Sequence, residues 1–125
     1  MPRDARAYLA DVVDACEAIA AAVAAMDLEG YTGDRLVRSS VEREFIIIGE
    51  ALAALSRTAE DIFPRITQAR RIIDFRNLLT HEYPTVDDAI VWAIIGRDVP
   101  VLRRECKELL QRQTPPDPDA GNAAE

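Results

Sequence analysis

The sequence predicts an all-α protein, a four-to-five-helix bundle with up-down connectivity. The chain has 125 residues, the size of a single domain with one core. Hydrophobic residues make up 49% of it and aromatic residues only 6%, a composition typical of helices packed closely on small side chains. Apolar residues recur every three or four positions along most of the chain, which is the spacing of one face of a helix.

The first two predicted helices are long and are separated by a break. Arg3 to about Met26 form the first, because their apolar residues keep to one face. The segment DLEGYTG, residues 27–33, interrupts that pattern with two glycines. Asp34 is the predicted N-cap of the second helix, whose stretch FIIIGEALAAL is apolar on nearly all sides. We therefore expect the second helix to be central.

Prolines delimit the third predicted helix. Between Ser56 and Pro64 the sequence predicts a turn or a single helical turn, closed by the proline. The third helix restarts near Ile66. It is expected to end at about Glu82, because Pro84 has no amide hydrogen and disfavours helical geometry in the residue before it.

The last predicted helix begins at a capping box formed by Thr85 and Asp88. Its apolar pattern continues through Leu109. Gly96 and Pro100 interrupt this pattern and are expected to bend the helix.

The chain divides into one domain and a short tail. Residues 1–112 form the predicted helical domain. Residues 113–125 contain three prolines, no large apolar side chain and net negative charge, so we expect this tail to be disordered.

Charge and composition exclude several classes of protein. The net charge of −7 and the sequence pI near 4.7 argue against a protein that binds nucleic acid over a broadly basic surface. No apolar run is long enough to span a bilayer and the N-terminus has no signal-peptide core, which predicts a cytoplasmic protein. Cys16 and Cys106 occupy apolar helical positions without a metal-binding or redox motif, and we expect reduced core residues.

The segment RNLLTHEYP, residues 76–84, contains the only histidine of the chain, His81. Arg76 falls within the apolar face of the third helix, three or four residues from its apolar members. A guanidinium cannot lose its proton, so on an apolar face it requires an anion or a partner subunit. His81 is expected at the C-terminal end of its helix, where the helix dipole stabilises imidazolium. Such a histidine can give or accept a proton near neutral pH.

The surroundings of this segment are locally basic. Between positions 65 and 81 the acidic chain carries four arginines against a single aspartate, Asp74. Arg70 and Arg71 are therefore possible phosphate contacts for a bound polyanion. A solvated helix face balanced by acids elsewhere is an equally weighted alternative for both.

Arginine and histidine fit one class of reaction in particular. Cleavage of RNA by its own 2′-hydroxyl needs a base, an acid and a cation against the charge that develops on the phosphate. Because each chain has one histidine, a mechanism with two histidines requires two chains around one cleft, which favours a homodimer. Two-metal cleavage is the competing route and needs clustered carboxylates. The candidates Glu82, Asp87 and Asp88 are better explained as helix caps.

Residues 76–83 have the form Arg-x4-His-x-Tyr, which resembles the signature of the HepT toxins of HepT/MntA toxin-antitoxin pairs in the HEPN superfamily. Three other segments occur in the order of that family: the N-terminal RDARAYLADVVDA, IIIGEAL at residues 46–52, and VDDAIVW followed by RDVPVL. The resemblance covers roughly residues 3–111.

The resemblance implies a homodimeric toxin of a type VII-like toxin-antitoxin system that cleaves RNA without a metal or another cofactor. Arg76 and His81 of both subunits would be the catalytic pair in one cleft, with Asn77 orienting the substrate or the histidine. The resemblance also implies that a partner nucleotidyltransferase, the MntA-like antitoxin, attaches AMP to Tyr83. The added charge and bulk would then obstruct the cleft.

Two other interpretations remain open. A catalytically silent helical dimer would serve as a nucleotide-binding or adaptor module for a nucleotidyltransferase. A purely structural bundle would pair Arg76 with Glu50 of the second helix and pack the ring of Tyr83 beside Pro84. In every case Gly49 is expected to be structural, by permitting close approach of two helices.

Overall fold

The computed structural model describes residues 3–81 and 86–113, and every regular element in these two ranges is helical. In chain order the elements are α1 Ala5–Val23, α2 Leu28–Gly33, α3 Arg35–Thr58, a 3₁₀-helix Phe63–Arg65, α4 Ala69–His81, α5 Asp88–Arg97 and α6 Val99–Arg112. The predicted all-α bundle is confirmed. The described ranges contain six α-helices, more than the four or five predicted. One short helix was not expected, and the predicted last helix is divided in two.

Helix α3 is the centre of the bundle, as its apolar sequence predicts. It packs against α1 and α4, while α6 lies against α1 and α2 lies between α3 and α5. The core is one continuous cluster in which aliphatic side chains predominate. Its largest fully buried members are Tyr31, Phe45, Leu9, Ile19, Ile48, Leu52, Leu55, Ile72 and Leu102.

The predicted break between the two long helices is confirmed, because α1 ends at Val23 and α3 begins at Arg35, but the segment between them also forms the short helix α2, which was not expected. The carboxylate of Asp27 caps the helix by accepting a hydrogen bond from the Gly30 amide at 2.8 Å. Tyr31 is fully buried and its ring centroid lies 5.4 Å from that of Trp92. Helix α2 was missed because it has only six residues and one buried side chain, so its sequence shows no repeated apolar spacing. The predicted cap at Asp34 is confirmed by its hydrogen bond from the Val37 amide at 3.1 Å.

The segment around Pro64 contains the predicted single helical turn, but the proline has a different place in it. Pro64 lies inside the 3₁₀-helix Phe63–Arg65, in its first turn, and does not close the turn. The first turn of a helix tolerates proline because its amides have no intrahelical acceptor. Helix α4 accordingly begins at Ala69, slightly later than the predicted restart near Ile66.

The predicted bend in the last helix is confirmed and is a complete break. Helix α5 ends at Arg97, α6 begins at Val99, and Pro100 stands in the first turn of α6. The predicted cap is wrong in one respect. The N-cap of α5 is Asp87, whose carboxylate accepts from the Ala89 amide at 2.9 Å, while Thr85 lies outside the described residues.

Asp98, at the junction of α5 and α6, is the one buried charged residue in the described ranges and is 1% exposed. Its carboxylate accepts a hydrogen bond from Nε of Arg97 at 2.9 Å. The same carboxylate lies 3.5 Å from Nε of Arg71 on α4. Because a buried carboxylate requires such partners, these contacts fasten the first half of α4 to the α5–α6 junction.

Three further predictions concern the rest of the chain. Cys16 and Cys106 are buried free thiols, as predicted, and burial raises the pKa of the Cys16 thiol to about 12, which keeps it unreactive. Among the described residues no helix has the length and apolar character needed to cross a membrane. Helix α6 ends at Arg112 with Gln113 as its C-cap, and the remainder of the predicted tail, 114–125, lies outside the described residues.

Candidate active site

Helix α4 carries Arg76, Asn77 and His81, the three predicted site residues of the Arg-x4-His segment. Its apolar face packs on α3, where the rings of Phe45 and Phe75 meet edge to face with centroids 5.1 Å apart. Phe75 immediately precedes Arg76 in the chain. This aromatic contact therefore fixes the rotation of α4 next to the arginine.

The side chain of Arg76 crosses α3 at Gly49. A Cβ atom built on Gly49 would lie 2.2 Å from Cβ and 2.5 Å from Cγ of Arg76, closer than two non-bonded carbon atoms can approach. The aliphatic part of Arg76 thus occupies the space that a side chain at position 49 would need. The prediction that Gly49 permits close helix approach is confirmed.

The charged end of Arg76 has no carboxylate partner in residues 3–81 and 86–113. Its Nε donates a hydrogen bond to Oδ1 of Asn77 at 2.8 Å. Glu50 is exposed and makes no ion pair with it. The interpretation in which Arg76 pairs with Glu50 is therefore wrong, and the guanidinium can receive an anion from outside the described chain.

Asn77 links the arginine to the side of α4 on which the histidine lies. Positions 76 and 81 point roughly 140° apart around an α-helix, since each residue turns it by about 100°. Asn77 and His81 are four residues apart and share one stripe. By accepting from Arg76, Asn77 holds the guanidinium toward that stripe. Asn77 was expected to orient the substrate or the histidine, and the side chain that it contacts in the structure is Arg76.

His81 is the last residue of α4 and its side chain is exposed. It makes no side-chain hydrogen bond within the described part of the chain, so the imidazole is available to a ligand. The hydroxyl of Thr80 donates to the carbonyl oxygens of Arg76 at 3.1 Å and Asn77 at 3.2 Å, which closes the final turn. Tyr83 lies outside the described residues.

The arginines of the basic edge near α4 differ in whether another side chain balances their charge. Arg71 donates to Gln68 and pairs with the buried Asp98, so its charge is balanced. The guanidinium carbon of Arg70 lies 5.0 Å from the centre of the Phe63 ring, and Arg70 has no carboxylate partner among the described residues. Of the two possible phosphate contacts, Arg70 retains more unbalanced charge.

Another group of titratable side chains lies where α2, α3 and α5 meet, and sequence reasoning missed it because its members belong to three helices. Asp88 lies 3.8 Å from Nε of Arg38, and the buried hydroxyl of Tyr31 has no hydrogen-bond partner in the described residues. Burial raises the pKa of Glu42, the charge of Asp88 raises it further, and Arg38 opposes this.

No group of three or more His, Cys, Asp or Glu in the described ranges could hold a metal ion.

The raised pKa of Glu42 predicts how the stability of the fold depends on pH. Its folded-state pKa exceeds the unfolded value of about 4.3, so its contribution to stability is fully present below that pH and is lost as pH rises through the folded-state pKa. Glu42→Gln is therefore expected to stabilise the fold at neutral pH, with a gain that disappears in acid. Urea unfolding across the acid range measures this, with the exposed Glu60→Gln as control. Equal shifts for both variants at neutral pH would contradict the prediction.

The fold and the site together define an all-helical protein that presents, on one helix, an exposed histidine and an arginine without a carboxylate partner among the described residues. Beyond this class, the chain belongs to the HepT-like ribonuclease family, because the family model "Ribonuclease HepT-like" matches residues 12–109. The predicted resemblance is thereby confirmed, and the prediction of a ribonuclease is confirmed at the level of the family.

Relatives from bacteria and archaea extend over nearly the same length. A protein of Caldanaerobacter subterraneus subsp. tengcongensis, named as a candidate RNase, is 29% identical over 108 residues, 86% of this chain and 96% of its own. Another so named, from Methanocaldococcus jannaschii, is 27% identical over 103 residues, 82% and 94%. The "Probable ribonuclease HepT" of Thermococcus cleftensis is 28% identical over 109 residues, 87% and 98%. No solved structure matches the chain.

Proposed function

We propose that this chain is a metal-independent endoribonuclease toxin in which Arg76 and His81 of two protomers form one active site. The observation that carries the proposal is the guanidinium of Arg76, held by Asn77 at 2.8 Å and without a carboxylate partner in the described residues. A guanidinium whose stem is packed and whose charge is unpaired is prearranged for a phosphate. Membership of a ribonuclease family supports RNA as the molecule that supplies this phosphate.

The reaction follows from what these two side chains can do. His81 of one protomer accepts the proton of an RNA 2′-hydroxyl while that oxygen attacks the adjacent phosphorus. The bond from phosphorus to the 5′-oxygen breaks, and His81 of the second protomer donates a proton to the leaving oxygen. Arg76 stabilises the negative charge that develops on the other phosphate oxygens. The products carry a 2′,3′-cyclic phosphate and a 5′-hydroxyl.

Neighbouring arginines of α4 fit the path of the bound strand. Arg70 lies about 9 Å before Arg76 along the helix axis, at 1.5 Å per residue. It is proposed to contact a flanking phosphate through a guanidinium that no described carboxylate balances. Arg71 is proposed as a weaker contact, because it is already paired with Asp98.

The test is cleavage of RNA by unmodified protein in a chelator. Wild type is expected to cut equally well with and without EDTA, and Arg76→Ala and His81→Ala are each expected to lose the activity. Arg104→Ala is the matched control for Arg76→Ala, because Arg104 is exposed on α6 and its loss changes the net charge equally. Intact RNA with wild type, or undiminished cutting by both variants, would refute the proposed nuclease.

AMPylation of Tyr83 is proposed as the means of regulation. The phenol oxygen of Tyr83 attacks the α-phosphorus of ATP bound to a partner nucleotidyltransferase antitoxin, and pyrophosphate leaves. The resulting phosphodiester, two residues after His81, brings negative charge and bulk to a site that must accept RNA phosphate.

Intact mass spectrometry tests the modification. After incubation with the partner enzyme and ATP, wild type is expected to gain one adenylyl group and Tyr83→Phe none, while Tyr8→Phe behaves as wild type. A Tyr83→Phe protein that still gains the mass would place the modification elsewhere. Modification of a protein that never cleaves RNA would favour the adaptor alternative.

A further inference from the structure

We infer that Gly49 of α3 is a positioning residue for the proposed active site, because its missing side chain determines where the guanidinium of Arg76 lies. The inference rests on the proposed function. It concerns a residue that lies on a different helix from Arg76 and His81 and that acts on RNA through Arg76.

Among the described glycines, Gly49 alone would bring a Cβ atom within 3 Å of another atom, since at Gly30 the nearest atom is Oδ1 of Asp27 at 3.2 Å. A Cβ atom at Gly49 would meet Cβ, Cγ and Cδ of Arg76 at 2.2, 2.5 and 3.6 Å. The nearest of these atoms is bonded directly to the backbone of α4, so it cannot move away unless the helix moves. At Gly33 and Gly96, by contrast, an added Cβ meets nothing within 4 Å.

Other contacts of α4 limit how the helix can respond to a methyl group at position 49. The Arg71–Asp98 pair fastens its first half, and the Phe45–Phe75 contact fixes its rotation beside the arginine. The displacement is therefore expected to concentrate in the second half of α4, where Arg76, Asn77 and His81 lie. Misplacement of a reacting group by about 1 Å can lower a rate by roughly 10²-fold.

The effect is expected in kcat more than in KM. Arg76 is proposed to act on charge that develops in the transition state, and a displaced guanidinium loses that stabilisation first. Gly49→Ala is therefore expected to lower kcat by about 10²-fold. The matched control is Gly96→Ala, on an exposed and open face of α5, which is expected to leave kcat unchanged.

A second pair of variants separates positioning from damage to the fold. Arg76→Gly removes the Cβ and Cγ atoms that collide with a methyl at position 49. Gly49→Ala is therefore expected to lower the thermal unfolding midpoint of the wild-type protein but not that of Arg76→Gly, in which no Cβ atom is left to collide. The double variant, Gly49→Ala with Arg76→Gly, stays informative even where the single variant does not fold.

Chemical rescue provides the functional readout in folded proteins. Ethylguanidinium added to Arg76→Gly can enter the space left beside Gly49 and is expected to restore part of the cleavage rate. In the double variant the methyl group fills that space, and rescue is expected to be lost. Equal rescue in both variants, or wild-type kcat in Gly49→Ala, would overturn the inference while leaving the ribonuclease in place. Absence of cleavage by wild type would instead refute the proposed function and this inference with it.

Discussion

Replacing His81 by alanine is expected to lower kcat for RNA cleavage by about 10²–10⁴-fold, the usual contribution of a positioned acid or base. The imidazole is exposed at the end of α4 and makes no side-chain hydrogen bond within the described ranges, so its removal leaves the fold intact. The thermal unfolding midpoint is accordingly expected to stay at the wild-type value. Initial rates on a short RNA, with unfolding measured on the same preparations, check both statements.

Mixed dimers show whether one histidine from each chain is needed. Random assortment of wild-type and His81→Ala chains in equal amounts gives roughly one quarter wild-type dimers, one half mixed dimers and one quarter variant dimers. If the two histidines act as base and acid of one reaction, mixed dimers are inactive and about one quarter of the activity remains. Residual activity of about one half would contradict the two-chain mechanism. Mixing with Arg104→Ala chains controls for the exchange itself.

Apolar periodicity predicted the long helices well because each buries a continuous stripe. Helix α2 escaped prediction, since one buried tyrosine in six residues produces no stripe. The arginine on the apolar face of α4 was recognisable from spacing alone. Its partner was not, because the choice between Glu50 on α3 and Asn77 on α4 depends on side-chain directions that the sequence does not fix.

Charge counting along the chain was less informative than periodicity. It predicted a basic edge from four arginines, but Arg71 is balanced by Asp98, which a later helix junction supplies. A counter-ion from another helix cannot be recognised in a window of sequence. Close helix approach at Gly49 was predicted but its partner Arg76 was not, because the register between α3 and α4 decides which side chain faces the glycine.

Truncation of Phe45 is expected to have the largest effect on stability. Phe45 is fully buried and meets Phe75 edge to face at 5.1 Å. Phe45→Ala is therefore expected to lower the free energy of unfolding by about 3–5 kcal/mol, through lost burial and the cavity left behind. That is a large share of the roughly 5–15 kcal/mol by which domains are stable. Urea unfolding followed by the fluorescence of Trp92, the only tryptophan, measures it.

Leu36→Ala is the matched control, because Leu36 lies on the same helix with 83% of its surface exposed and is expected to change stability by less than about 0.5 kcal/mol. Equal midpoints for the two variants would contradict the prediction. Phe45 also bears on activity, because its partner Phe75 precedes Arg76 and fixes the rotation of α4. Folded Phe45→Ala protein is therefore expected to cleave RNA more slowly, whereas His81→Ala loses cleavage at unchanged stability. That opposite pattern separates a residue that supports the site from one that reacts within it.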